Sequence, residues 1–332
     1  MIGNEINIIA DIGGTNMRVA QINEQGNISN IEIYACADYA GLAEVLTNFL
    51  TQHQLLGKKI NACLAIACPV DKDLIVMTNL PWQFSQQALK AQLHLHQLVL
   101  INDFTAIAHA IPQLSVKQKV QIGVGDVING KPISICGPGT GLGVANLVAI
   151  DTAWHSLSGE GGHVDFAPVD QQEIEILKFL MTKYARVSYE QLLSGLGLEQ
   201  IYQALSFIKN GMASQLSAKE ITTNGLANHC ELCAETLAQF CRVLGSFAGN
   251  LALTLGSYGG VYIAGGIVPR FIDYFQTSDF RMRFEAKGRM SGSNQPIPTF
   301  VVTEEQPGLL GASAYLKQFM SDQNKTTNTI KN

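Results

Sequence analysis

Three times in this chain a short apolar run stops at a cluster of glycines. Ile8–Ala10 leads into DIGGTN (Asp11–Asn16), Ile133–Cys136 leads into GPGTGLG (Gly137–Gly143), and Val261–Ala264 lies between Gly259–Gly260 and Gly265–Gly266. Short apolar runs bounded by turn residues read as buried strands. Glycine at a strand end lets the backbone turn tightly and present its N–H groups to an anion with no Cβ in the way. Such a chain is held to the α/β class, with ligands expected at strand ends.

Composition narrows the class further. Of 332 residues, 31 are glycine and 47% are hydrophobic, while only 15% are charged, against roughly 25% in an average soluble protein. A disordered chain has the reverse balance. The net charge of −5 comes with no basic stripe, so no nucleic-acid partner is expected. At roughly 150 residues per domain the length suggests two domains. Met1–Asn7 is polar and Ile8–Ala10 is too short for the core of a signal peptide, so none is expected. Val243–Gly256 is interrupted by Asn250 and flanked by Arg242, and falls short of the roughly 20 residues that span a bilayer. No membrane partner is therefore expected. The seven cysteines are irregularly spaced and mostly sit in apolar runs, which predicts a reduced, cytoplasmic protein. His229, Cys230, Cys233 and Cys241 share a helical stretch, but one CxxC supplies half of a zinc site. Buried inert thiols and no structural metal are expected there.

Strands are predicted at Ile6–Ala10, Met17–Ile22, Ile31–Cys36, Ala62–Ala67 and Leu98–Ile101, with helices over Gly41–His53 and from the cap Ser85 to Leu95. A second series begins near residue 132. Strands Ile133–Cys136 and Val144–Ile150 precede helices at Gln171–Lys183, Tyr189–Leu193 and Gly197–Ile208 and one long helical region, Asn224–Leu255. Strand Val261–Ala264, a helix after Pro269, strand Pro298–Thr303 and helix Pro307–Met320 complete it, and 321–332 reads as a disordered polar tail. Both series open as strand, threonine-containing glycine turn, strand, which suggests two similar lobes holding a nucleotide between them.

Several phosphate-binding motifs are excluded. Gly125–Lys131 resembles a P-loop, but Pro132 stands where the metal-ligating hydroxyl belongs, so a hairpin turn at Asn129–Gly130 is expected. The alternation in Gly137–Gly143 does not fit dinucleotide spacing. Protein-kinase signatures and the G-x-S-x-G elbow are absent. Asp103 follows the Leu98–Ile101 strand, and the residues alone leave two equal readings: a cap for the helix from Phe104, or a general base.

Taken together, DIGGTNMR (Asp11–Arg18), AIACPV (Ala65–Val70), INDFTAIA (Ile101–Ala108), GPGTGLGVA (Gly137–Ala145), GEGGHVDFAP (Gly159–Pro168), LSG (Leu193–Gly195), GGVYIAGGIVPR (Gly259–Arg270) and QPGLLG (Gln306–Gly311) resemble the sugar-kinase branch of the actin-like ATPases, and within it the bacterial glucokinase family. The resemblance runs from Ile8 to about Phe319. Met17 stands where a small residue is common and Leu196 where the family reads SGPG, close to the implied sugar site. The cysteine-rich zinc segment of the related repressor/kinase family has no counterpart after Gly162–Val164.

The resemblance implies a two-lobed, actin-like (ribonuclease H-like) α/β fold with mixed sheets flanked by helices and a cleft between lobes. The small domain is expected at 1–112 plus 305–320, the large one at 113–304, with hinges near Pro112–Val116 and Thr303–Pro307. The implied activity is ATP-dependent phosphorylation of glucose at its 6-hydroxyl, the first step of glycolysis, by a cytoplasmic homodimer. Asp103 is then the general base. Asn102, Asp103, Glu160, His163 and Glu190 bind the sugar. Ala10, Asp11, Ile12, Gly13, Gly14 and Thr15 face the phosphates, as do Gly139, Thr140 and Gly141 from the other lobe, and Gly265 and Gly266 pass the adenosine. Asp11 orients Mg²⁺ through water, because Mg²⁺ keeps much of its hydration. Arg18 reads as a surface or hinge ion-pair residue without chemistry. Mannose, fructose or an N-acetyl amino sugar is the alternative substrate. A sugar-sensing regulator on the same fold is the alternative class, disfavoured because Asp11 leaves no room for an N-terminal DNA-binding module.

Overall fold

The structure, a computed structural model, describes residues 5–23 and 25–329. The chain forms two compact units, Met1–Leu114 with Glu304–Asn332, and Ser115–Thr303.

In the first unit, strands β1 (Ile6–Ile12), β2 (Asn16–Ile22), β3 (Ile28–Ala35), β4 (Ile60–Ile66) and β7 (Gln97–Asn102) form a sheet of order β3-β2-β1-β4-β7. A separate hairpin, β5 (Leu74–Val76) and β6 (Gln83–Ser85), lies between β4 and β7 in sequence. The sequence pattern does not reveal it, since three-residue strands carry too little periodicity. Helices α1 (Leu42–Gln52), α2 (Gln86–Gln92) and α3 (Asp103–Ala110) complete this segment. Ser85 caps α2, its side chain accepting from the Ala88 amide. Side chains alternate across the sheet. Ile8, Ala10 and Ile12 meet Leu42, Leu46 and Phe49 of α1 on one face, while Ile9, Cys63 and Ala65 face the opposite way. Every residue of β4 is buried, as expected of a parallel strand covered on both faces.

The second unit repeats the plan. Strands β8 (Lys119–Ile122), β9 (Ile133–Pro138), β10 (Leu142–Ile150), β11 (Ala153–Ser158), β12 (Val261–Ile263) and β13 (Thr299–Val302) form a sheet of order β11-β10-β9-β12-β13-β8. Its first five positions match the first sheet, with two antiparallel steps followed by two parallel ones. β8 is an added antiparallel edge. Around this sheet lie α4 (Gln171–Met181), α5 (Gly195–Asn210), α6 (Ala218–Leu226), α7 (Glu231–Leu255), α8 (Ile272–Thr277), α9 (Phe280–Glu285) and α10 (Ser291–Asn294).

The expected single helical region Asn224–Leu255 is two helices. α6 ends at Leu226, Asn228 turns into the left-handed region at φ 53°, and Cys230 caps α7. Asparagine tolerates that conformation, so an apolar periodicity on both sides conceals the break. Tyr189–Gln191 is a single 3₁₀ turn. The turn at Asn129–Gly130 is present, with the Lys131 amide donating to Ile128 O at 3.2 Å. It does not close a hairpin, because β8 pairs with β13 while β9 pairs with β10 and β12.

The chain returns to the first unit as α11 (Pro307–Thr329). The helix passes Met320, where a disordered tail was expected. Extension costs one residue's freedom per hydrogen bond gained once a helix is nucleated, and Asp322 pairs with Lys325 one turn on at 3.5 Å. Leu309, Ala312 and Leu316 anchor the buried part against Ile9, Cys63 and Ala106. Among the described residues no helix is long and apolar enough to cross a membrane.

Candidate active site

Register brings the candidate residues of the first unit to one edge. Ile12 pairs with Ile66, and Ile66 with Asn102. The three parallel strands therefore end level, and DIGG, the Cys68–Pro69 turn and Asn102–Asp103 leave the sheet side by side, at the carboxyl ends where α/β sheets bind ligands. After β1, Gly13 N–H donates to Asn16 O at 3.1 Å, and Thr15 O accepts from the Cys36 amide at 2.9 Å. Ala10 and Ile12 are fully buried, so their side chains serve the core and only their backbone can reach a phosphate.

Asp11 lies opposite Arg18 on β2, the two 3.9 Å apart. Burial pushes the Asp11 carboxyl above its ordinary value, and the Arg18 charge pulls it partly back. The start of α11 closes over this carboxylate. A Cβ on Gly308 would stand 2.6 Å from Asp11 Cγ, so only glycine admits the approach. The end of a helix that carries partial positive charge is thus laid against the acid. Three residues further, Gly311 lies directly against the Ala106 carbonyl of α3, leaving no space for a methyl group.

α3 begins at Asp103, and the cap is Asn102, not Asp103. Asn102 Oδ1 accepts from the Phe104 amide at 2.9 Å, and Asp103 Oδ1 accepts from the same N–H at 2.9 Å. The cap engages Asn102 through its oxygen, while its amide NH₂ carries the donors suited to a sugar hydroxyl. The negative charge of Asp103 sits in the first turn, where the helix dipole favours it. Its charge also helps raise the Cys68 thiol, after burial.

In the second unit a single carboxylate joins two motifs. The segment after the GEGGH run pairs with the one before Glu190: Phe166 N–H donates to Val187 O at 2.9 Å and Tyr189 N–H to Val164 O at 3.0 Å. His163 Nδ1 consequently lies 3.8 Å from Glu190 Oε1. The other oxygen, Oε2, accepts from the Leu142 amide at 2.9 Å, at the close of the second glycine turn. Gly141 is packed so closely on this carboxylate that a Cβ there would collide with it. Glu160 and His163 are linked by the His163 amide donating to Glu160 O at 3.0 Å, and both side chains are exposed.

The turn itself is held by Gly139 N–H on Gly141 O at 2.8 Å and Gly195 N–H on Gly139 O at 2.9 Å; the Thr140 side chain stands exposed above it. Gly265 follows β12 at φ +84° and abuts Pro138 O, a conformation and contact open to glycine. Gly265–Gly266 therefore leave the sheet next to the Gly139–Gly141 turn. Among the described residues no three His, Cys, Asp or Glu side chains gather to hold a metal. A lone carboxylate such as Asp11 suits an ion that keeps its waters and is shared with substrate phosphates, as Mg²⁺ is.

The sequence profile of the family described as Glucokinase matches residues 8–319. The chain belongs to the glucokinase family. It is 61% identical over 318 residues to the glucokinase of Colwellia psychrerythraea (strain 34H), which covers 94% of this chain and 96% of that protein. The solved structure of a glucokinase from an Antarctic psychrotroph is 37% identical, with a TM-score of 0.86 over 94% of this chain and 99% of that one. A ROK family glucokinase from Streptomyces griseus, 16% identical with a TM-score of 0.62 over 94% and 99%, shares the fold. Family members are phosphotransferases with a hydroxyl acceptor, and the actin-like α/β fold is the one found here.

Arg18, expected to form an ion pair, has Asp11 as its partner. Two features of this glucokinase-family site escape sequence reasoning. Asn79, in the loop between β5 and β6, packs on Gly14, whose Cβ would lie 3.0 Å from its own. Gly308 and Gly311 stand in the QPGLLG segment quoted for the resemblance, but their partners are about 300 and 200 residues away in sequence, beyond any local pattern.

Proposed function

We propose that this chain transfers the terminal phosphoryl group of ATP to the 6-hydroxyl of glucose, with Asp103 as general base. The observation that carries the reading is the level ending of β1, β4 and β7, which sets the phosphate turn beside Asn102–Asp103 in a chain of the glucokinase family. The Streptomyces griseus glucokinase was solved with glucose and AMPPNP, which supports a sugar and an ATP-type nucleotide as ligands here.

The chain's own groups divide the work. The Asp103 carboxylate accepts the hydroxyl proton as the sugar oxygen attacks the γ-phosphorus. The new O–P bond forms as the β–γ bridging bond breaks, and ADP leaves. Asn102 donates to a hydroxyl of the ring. Glu190, Glu160 and His163 bind vicinal hydroxyls, a carboxylate accepting one hydrogen bond on each oxygen. Backbone N–H groups of Gly13–Thr15 and Gly139–Gly141 hold the phosphates, and Gly265–Gly266 leave room for the adenosine. Asp11 would hold Mg²⁺ through water; when bound, the ion neutralises phosphate charge. On the family resemblance the reading extends to a cytoplasmic homodimer, which light scattering of the purified chain would check.

A coupled assay of ADP release over glucose, mannose, fructose and N-acetyl amino sugars tests the proposal. Glucose is expected to turn over fastest. Turnover of another sugar with none of glucose would refute the substrate, and a near-normal kcat in Asp103→Asn would refute the base.

A further inference from the structure

Cys230 and Cys233, expected from the sequence to be inert buried thiols, sit at the start of α7. The structure separates the two. Of the seven cysteines, six are buried and only Cys230 is partly exposed. It is the N-cap of α7, a helix of 25 residues, and its Sγ accepts a hydrogen bond from the Cys233 amide at 3.3 Å. Cys233 lies one turn on, fully buried beneath Tyr202 of α5 and Ile221 of α6, with Cys230 packed on the rim of that cluster. Cα atoms at the cap and third positions of a helix stand about 5–6 Å apart, inside the disulfide window of roughly 4.4–6.8 Å.

We propose that Cys230 and Cys233 form a redox-active dithiol that exchanges with low-molecular-weight disulfides. The exposed Cys230 thiolate attacks one sulfur of the small disulfide, forming a mixed disulfide and releasing one small thiol. Cys233, once deprotonated, attacks the Cys230 sulfur, closing the intramolecular bond and releasing the second. The protein loses two electrons and two protons, and the small disulfide gains them as two thiols.

The arrangement sets the order of attack. A cysteine at a helix N-terminus, three residues ahead of a second, is the setting in which thiolates are stabilised. Burial alone would raise the Cys230 thiol. Hydrogen bonds from the Cys233 thiol and from the Cys233 and Leu232 amides outweigh it and lower the thiol below its usual value, against the opposing charge of Glu231. Burial and the neighbouring Cys230 raise the Cys233 thiol, and its buried position leaves the partly exposed Cys230 as the sulfur that a small disulfide can reach. The ring closed is short and constrains the unfolded chain little, so the effect is expected in reactivity and not in folding.

The test is equilibration of the whole protein with oxidised and reduced glutathione, followed by acid quenching, alkylation and peptide mass mapping. One disulfide is expected, within the peptide spanning 230–233, with the other five cysteines reduced. Cys233→Ser should accumulate a glutathione adduct on Cys230. Cys230→Ser, which keeps a hydroxyl for the cap, should show neither product. In the reduced protein Cys230 should alkylate on the order of tenfold faster than any other thiol. Seven free thiols after treatment with oxidised glutathione, or an adduct on Cys233 in Cys230→Ser, would overturn the proposal.

Discussion

The two units share one strand plan and place different groups at its strand ends. In the first, the strands end at side chains: Asp11 after β1's apolar stretch and Asn102–Asp103 after β7. In the second, the strands end at backbone, Gly139–Gly141 after β9 and Gly265–Gly266 after β12. Its polar side chains, Glu160, His163 and Glu190, come from loops outside the sheet. The same topology thus presents titratable groups in one unit and bare N–H groups in the other. Strand order fixes where ligands meet a sheet, and the residues just past the strand ends fix what the sheet can do to them.

The largest expected effect separates chemistry from positioning. Asp103→Asn keeps the shape of the first unit and should lower kcat about 10²–10⁴-fold, with little change in KM for glucose. The second unit is instead vulnerable in its core. Arg283 is buried against Glu173 at 2.7 Å and also reaches Ser246 Oγ at 3.1 Å. Arg283→Met should destabilise that unit by about 3–5 kcal/mol, since Glu173 is left charged and buried, as read by chemical denaturation. Gly311→Ala tests the first unit in turn. A methyl group meets the Ala106 carbonyl, and pushing α11 off α3 should cost about 1–3 kcal/mol and lower kcat with it, because α3 carries Asp103.

Glu190 sharpens the contrast, because it touches both a glycine turn and His163. Glu190→Gln keeps an acceptor for the Leu142 amide but loses the charge facing His163. It should raise KM for glucose about tenfold, on the order of 1–2 kcal/mol, and leave KM for ATP nearly unchanged. Glu190→Ala also loses the anchor of the turn, and should raise both. The smallest effect is a shift of pH profile. Burial raises Asp11, so the acid limb of kcat/KM for ATP should lie above the ordinary aspartate range, and Arg18→Ala should move it higher still. A raised carboxyl binds its proton more tightly when folded, so its contribution to stability falls as pH rises through the unfolded and then the folded value. Asp11→Asn should therefore raise Tm at neutral pH while lowering activity.

Much of the first unit's site was legible because its residues follow their strands directly. DIGG and IND each sit at the end of an apolar run, and the run itself announces the strand. The second unit's polar set was legible only as types. Nothing local in GEGGH or in SYEQ shows that Val164 O and the Tyr189 amide pair and bring His163 to Glu190. The cap went to Asn102 because its side chain stands before the first helical residue, a choice of one position that periodicity does not resolve. The break at Asn228 was hidden for a related reason: apolar spacing continues on either side of it.

The sequence by itself determined the α/β class, the glycine turns at strand ends, the placement of Asp103 past an apolar strand, and the family. Those depend on neighbours within a few residues, where side-chain period and turn chemistry act. Tertiary structure alone decided that Gly308 seats α11 on Asp11, that Gly311 seats it on α3, and that Glu190 ties the Gly139–Gly141 turn to His163. Each is a contact between segments far apart in the chain. Such contacts are set by strand register and close packing of whole elements, which no local pattern encodes.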